Sequence, residues 1–264
     1  MLLLTVAKNS KIAQNTVITE GTGTAKVYSV TRDLTNKTFA DATAGDVGKV
    51  IGANGSIYDK ASAATSAGTS AVAMIAYVGD DGTADASSEI YKGLAIALSD
   101  AGVTGIWSNT YESAGVSSST TWADQKTFLN GIADTDKLIT KYGADYAAAK
   151  AKNYEVAAPT GTSGWFLPSS GQWLKFFEAA GIDVASWTDW SWAPGGVENL
   201  TKVNPNLLEK AKSGSLLDCD YWTSSEYDTN HALSVDFSST SGVTLFNNND
   251  KKVAKLVVRP FFAF

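Results

Sequence analysis

The chain contains one histidine, His231, and one cysteine, Cys219, and these two counts bound its chemistry. A Ser-His-Asp or Cys-His site would have to use His231. A structural zinc site needs four thiolate or imidazole ligands, which one chain of this composition does not supply. No intrachain disulfide can form, and Cys219 reads as a small buried hydrophobe. His231 reads either as a ligand-contact residue or as an ordinary surface histidine at the start of a strand, and catalysis by it is disfavoured. The run Asn247-Asn248-Asn249-Asp250 has the oxygen ligand types of a calcium site, but such sites gather about 6–8 oxygens from several segments. No metal and no cofactor is expected. Gly45-Asp46-Val47-Gly48-Lys49-Val50 is not a phosphate-binding loop, because Thr43 stands where the first glycine belongs and Val50 follows the lysine. Gly79-Asp80-Asp81-Gly82 reads as a plain turn. Trp187, Trp190 and Trp192 could stack on sugars or pack a long loop, and packing is favoured.

The elements that must position these residues belong to a chain of 264 residues, 44% hydrophobic and 11% aromatic, long enough for a sizeable core. With 21 Lys+Arg against 27 Asp+Glu and no basic run, the net charge of -6 argues against nucleic acid or anionic membrane as a partner. No stretch approaches the roughly 20 apolar residues of a membrane helix. The apolar start Met1–Ala7 stops at Lys8, and its basic residues follow the apolar run, so it reads as a first strand without a signal peptide. The expectation is a protein cytoplasmic as made, or assembled into a particle that leaves by lysis and acts outside the cell.

Residues 1–44 read as a small N-terminal β-segment, a possible assembly region, with strands at Thr16–Thr19 and Ala25–Val30 around a Gly21-Thr22-Gly23 turn. Residues 45–264 read as one α+β domain. Asn54-Gly55 is a hairpin turn after Lys49–Gly52. Ala71–Val78 is a continuous apolar run typical of a buried strand, with Gly93–Leu98 as its partner. Ala61–Ser70 is a surface loop or short helix. Trp122, Phe128, Leu129 and Ile132 fall near helical spacing; Leu138, Ile139 and Tyr142 follow, with Gly143 as C-cap and a short helix at Ala147–Lys152. After Leu167-Pro168, Ser169 and Gln172 form a capping-box pattern before the apolar face of Trp173, Phe176 and Phe177.

Three motifs carry a resemblance: Gly164-Trp165-Phe166-Leu167-Pro168-Ser169-Ser170-Gly171, Tyr221-Trp222-Thr223-Ser224-Ser225-Glu226-Tyr227, and Val258-Arg259-Pro260-Phe261. Together they resemble the C-type-lectin-like fold in the branch of the formylglycine-generating enzymes. Within it the tail is similar to the variable proteins of diversity-generating retroelements, of the phage tropism-determinant kind. The formylglycine-generating enzymes bind copper through paired cysteines. Cys219 stands alone, so that activity does not carry over and no enzyme is expected.

The resemblance implies that residues 221–264 are diversified by copying errors at template adenines, which scatter asparagine codons into Asp, His, Tyr, Ser, Thr and Phe. The display positions it implies are Tyr227, Asp228, Asn230, His231, Ser234, Asp236, Ser238, Thr244, Phe246, Asn247, Asn248, Asn249 and Asp250. Strand alternation would place Leu233, Val235 and Phe237 in the core and Ser234, Asp236 and Ser238 outward. Tyr227 and Phe246 would be the aromatic anchors. The implied function is ligand or receptor binding on a phage or prophage tail, toward a host-cell surface protein or glycan, with a trimer by the same resemblance. The alternative is a C-type-lectin-like module of fixed specificity for a carbohydrate or a protein.

Overall fold

The computed structural model describes residues 37–79, 91–101, 105–179, 184, 219–238 and 242–264, with the short strands at 18–20 and 28–30. For residues 18–20, 28–30, 219, 236–238 and 242–247 it describes the backbone path only. The chain divides into two compact units, Met1–Lys37 and Thr38–Phe264. In the first, β1 (Ile18–Glu20) and β2 (Tyr28–Val30) pair antiparallel with Ile18 opposite Val30. The Gly21–Gly23 turn expected between them lies outside the described residues, as do Asp80–Gly82 and the three loop tryptophans.

The second unit is α+β, with short helices and two antiparallel sheets. One sheet has five strands in the order β10-β6-β5-β3-β4: β3 (Val50–Gly52), β4 (Ile57–Tyr58), β5 (Ala71–Val78), β6 (Gly93–Ala97) and β10 (Phe261–Ala263). Its central strand is a continuous apolar run because both faces are covered. Met74 and Ala76 pack toward Trp173, Phe176 and Phe177, whereas Val72, Ala73 and Ile75 pack with Ile51, Trp165 and Phe262. The β3–β4 hairpin turns through Asn54-Gly55, where Gly55 takes a φ of 79° that only glycine adopts without strain. The second sheet runs β7 (Cys219–Glu226), β8 (His231–Ser238), β9 (Gly242–Asp250).

The helices are α1 (Ala61–Ser66), α2 (Trp122–Gln125), α3 (Gly131–Tyr142), α4 (Ala147–Lys152) and α5 (Ser170–Ala179). Gly143 ends α3 in the left-handed region (φ 93°) and its N–H donates to the Ile139 carbonyl at 2.8 Å. Phe128 and Leu129 are not on a helix, contrary to their spacing. They connect α2 to α3, because the Phe128 carbonyl serves the start of α5: it accepts from Ser169 Oγ at 2.6 Å and from the Gly171 N–H at 3.0 Å. Gln172 reaches back to the Ser169 N–H at 2.9 Å, one arm of the expected capping box.

The three motifs meet here. Phe166 and Phe261 exchange backbone hydrogen bonds at 2.8 and 3.0 Å, and the Ser224 N–H donates to the Pro168 carbonyl at 2.9 Å. The Ser170 N–H donates to Ser225 Oγ at 3.0 Å, and the Trp222 N–H to the Val257 carbonyl at 3.0 Å. Trp165 is wedged edge-on between Tyr154 and Phe262, with ring centroids 5.0 and 4.9 Å away, and its Nε1 donates to the Val156 carbonyl. Arg259 is buried with its Nε 2.8 Å from Asp100 Oδ1, and its Nη1 donates to the Ala97 carbonyl at 3.1 Å. Burial pushes the Asp100 carboxyl up by more than Arg259 draws it down.

The closing glycine of the first motif has a steric cause. A Cβ on Gly171 would lie 2.5 Å from the Phe128 carbonyl oxygen and 2.8 Å from that of Lys126, both backbone atoms that cannot swing away. Gly171→Ala is expected to lower stability by about 1–3 kcal/mol, as overpacking does. Gly45→Ala, exposed and with its nearest atom 3.8 Å away, should stay within about 0.5 kcal/mol. Urea unfolding of both variants measures the contrast.

Candidate functional site

The site is the end of the three-stranded sheet where β7 turns into β8 and β9 finishes. His231 stands opposite Asp250 in the β8–β9 register, Ala232 opposite Asn249 and Leu233 opposite Asn248. The turn Tyr227–Asn230 is organised by one carboxylate: Asp228 Oδ1 accepts from the Asn230 N–H at 2.7 Å and the His231 N–H at 2.8 Å, and His231 Nδ1 lies 2.9 Å away. Burial pushes the Asp228 carboxyl up, but these backbone and ring hydrogen bonds together outweigh it and hold the group below its ordinary value. The Tyr227 and His231 rings meet edge-on at 6.5 Å.

Beneath the turn lies a buried ion pair between Glu226 and Lys251, with side chains 1% and 0% exposed. Lys251 Nζ contacts Glu226 Oε1, donates to the Thr229 carbonyl at 3.1 Å and the Glu112 carbonyl at 3.4 Å, and sits 4.9 Å from the centroid of the Trp107 ring. The Glu226 carboxylate also accepts from the Ala114 N–H at 3.1 Å and from Ser113 Oγ at 3.2 Å. Burial lowers the Lys251 pKa by more than Glu226 raises it. The two residues immediately flank the expected display segment, so the pair closes Tyr227–Asp250 at its base.

Of the expected display positions, Asn230 and Asn248 are exposed, and Tyr227, Asp228, His231, Asn249 and Asp250 are partly so. Asn249 Nδ2 donates to Ser234 Oγ at 2.7 Å. Ser234 itself does not face out; it is fully buried. The alternation fails because β8 is a middle strand covered on both faces. Leu233 and Val235 pack toward Trp173, while Ala232 packs on the other side with Trp107, Trp222 and Val258. The side chains expected at Asp236, Ser238, Thr244, Phe246 and Asn247, and that of Cys219, lie outside those described.

Three residues at this end were not among the expected positions. Tyr111 is 45% exposed, and its hydroxyl donates to Asp250 Oδ2 at 2.7 Å and contacts Oδ1 at 3.0 Å. Lys252 places its ammonium 4.5 Å from the Tyr111 ring centroid, and Val253 is 70% exposed. No local pattern joins Tyr111 to Asp250, since 139 positions separate them. The one available signal was composition, an aromatic within the polar run Ser108-Asn109-Thr110-Tyr111. The Asp250 carboxylate is drawn below its ordinary value, first by the Tyr111 hydroxyl and then by the Lys252 and Val253 N–H groups.

Among the described residues, no three His, Cys, Asp or Glu side chains gather as metal ligands, and no helix is long and apolar enough to cross a membrane. Lys49, the lysine of the loop-like Gly45–Val50 segment, is engaged by Asp46 at 3.1 Å and Asp59 at 3.5 Å. A cleft of about 340 Å³ opens elsewhere, lined by Lys150, Asn153, Tyr154 and Glu155.

No protein-family model matches the chain, and no curated protein does. The fold is similar to the solved structure of a fimbrial protein from Bacteroides ovatus ATCC 8483, with a TM-score of 0.56 and 16% identity. The match covers 83% of this chain and 48% of that one, so the chain spans about half the length of that protein. At this identity the likeness concerns the fold alone.

Lys251→Met leaves Glu226 buried without its cation and is expected to cost about 3–5 kcal/mol, whereas Lys251→Met with Glu226→Leu should recover much of that loss. Chemical denaturation of the single and double variants measures it, and a double variant no more stable than the single would contradict the pair's role. Asp228 has a folded pKa below its unfolded one. Its contribution is therefore present above the ordinary carboxylate value, about 3.9, and is lost as pH falls through the lowered one. The melting-temperature gap between wild type and Asp228→Asn should be clear at neutral pH and shrink below about pH 4.

Proposed function

We propose that the Thr38–Phe264 unit is a C-type-lectin-like recognition domain, and that the chain is a variable protein of a diversity-generating retroelement. It is displayed on a phage or prophage tail, where it binds a host-cell surface protein or glycan without catalysis. The observation that carries this reading is the clamped tail segment: Glu226 and Lys251 bracket Tyr227–Asp250, while Asn230 and Asn248 stand exposed at its end. Exposed substitutions shift stability little, so such positions can change while the base holds. Tyr and Asn at this end are residue types that antibody paratopes also favour. In a trimer, repetition would raise weak single-site affinity through avidity.

A second reading, a module of fixed specificity on the same fold, is favoured by a separate observation. Asp228, Asn249 and Asp250 are bound internally, to the turn backbone, Ser234 and Tyr111. A residue that organises the surface is not free to vary.

Sequencing the locus in many isolates separates the two. The diversification reading expects an adjacent reverse transcriptase gene and an adenine-rich near-repeat of the codons for residues 221–264. It also expects substitutions concentrated at positions such as Asn230 and Asn248. A locus without that repeat, or with an invariant tail, leaves the fixed-specificity module.

A further inference from the structure

The two exposed large hydrophobic side chains of the described residues, Tyr111 and Val253, lie at the same end of the molecule. One carboxylate holds both. Asp250 accepts the Tyr111 hydroxyl at 2.7 Å through Oδ2, and the Lys252 and Val253 N–H groups at 2.9 and 3.1 Å through Oδ1. Asp250 is thus occupied internally and acts as a positioning residue. Lys252 lies over the Tyr111 ring, and both Lys252 and Lys255 are exposed. No carboxylate of the described residues stands within ion-pair distance of either ammonium. Lys252 thus offers an exposed ammonium at the partly exposed Tyr111 ring, while the Asp250 carboxylate is engaged by its own hydrogen bonds.

We infer that Tyr111, Lys252 and Val253 form a fixed contact platform beside the β7–β8 turn, and that it takes a carboxylate-bearing sugar unit of an acidic polysaccharide. The inference rests on the recognition reading of the same surface and names its ligand class. A pyranose offers a flat C–H face to the tyrosine ring, and a uronic acid adds a carboxylate for Lys252. The Asn230 and Asn248 amides at the edge can exchange hydrogen bonds with sugar hydroxyls. A protein partner is a poorer fit: specific interfaces bury about 800 Å² per side around an apolar core, and one Tyr with one Val is far smaller. The hydroxyl–carboxylate bond fixes Tyr111 before binding, which lowers the ordering cost.

Affinity electrophoresis of the full chain through gels containing polygalacturonate, dextran or polyglutamate tests this. Wild type should be retarded by polygalacturonate and not by dextran. Tyr111→Ala and Lys252→Gln should each weaken that retardation about tenfold, with Tyr111→Phe, which keeps the ring, losing less. Absence of retardation by polygalacturonate, equal retardation by polyglutamate, or unchanged behaviour of both variants overturns the inference. If Asn230→Ala abolishes retardation while Tyr111→Ala does not, the recognition surface stands and the platform falls. If the reverse holds, the platform stands and display by the tail falls.

Discussion

The buried contact between Glu226 and Lys251 is the constraint on which the tail depends. Charges taken out of water are costly, and such pairs often contribute little net stability. Their effect is geometric: an ammonium with no access to water must keep every available acceptor in place. Lys251 therefore fixes the carbonyls of Thr229 and Glu112 along with the Glu226 carboxylate, and Glu226 fixes the Ser113–Ala114 backbone. The turn, the segment that carries Tyr111 and the end of β9 are all anchored to this one buried point.

A second layer of constraint lies deeper, where the start of α5 meets β7. Ser169 and Gly171 take the Phe128 carbonyl, Ser170 takes Ser225, and Pro168 takes Ser224. These bonds satisfy helix-end and strand groups that would otherwise be buried unpaired. They also set the position of Glu226, two residues beyond Ser224, and so the position of the clamp. The path from core to surface is short: α5, β7, ion pair, turn.

Much of this was legible in the sequence wherever the cause is local. Ala71–Val78, Ala147–Lys152 and the Gly143 cap follow from apolar runs, alanine content and glycine geometry within a few residues. The capping pattern at Ser169 and Gln172 is local in the same way. What was not legible is what depends on distant partners. Phe128 keeps helical spacing yet gives its carbonyl to another helix. Ser234 has the alternation of an outward residue yet is buried, because nothing in the strand tells that Trp107 and Trp222 cover its second face. Glu226–Lys251 and Tyr111–Asp250 join positions far apart, so no local pattern pairs them. Which tail residues organise the surface and which are exposed on it is set by partners distant in sequence.

A clamped base with an exposed rim should tolerate replacement at the rim and not at the base. Saturation mutagenesis of residues 219–264 on a display platform, sorted for resistance to proteolysis, tests it most directly. Broad tolerance is expected at Thr229, Asn230 and Asn248, and near-intolerance at Glu226, Ser234 and Lys251. Equal tolerance at the two sets of positions would contradict it.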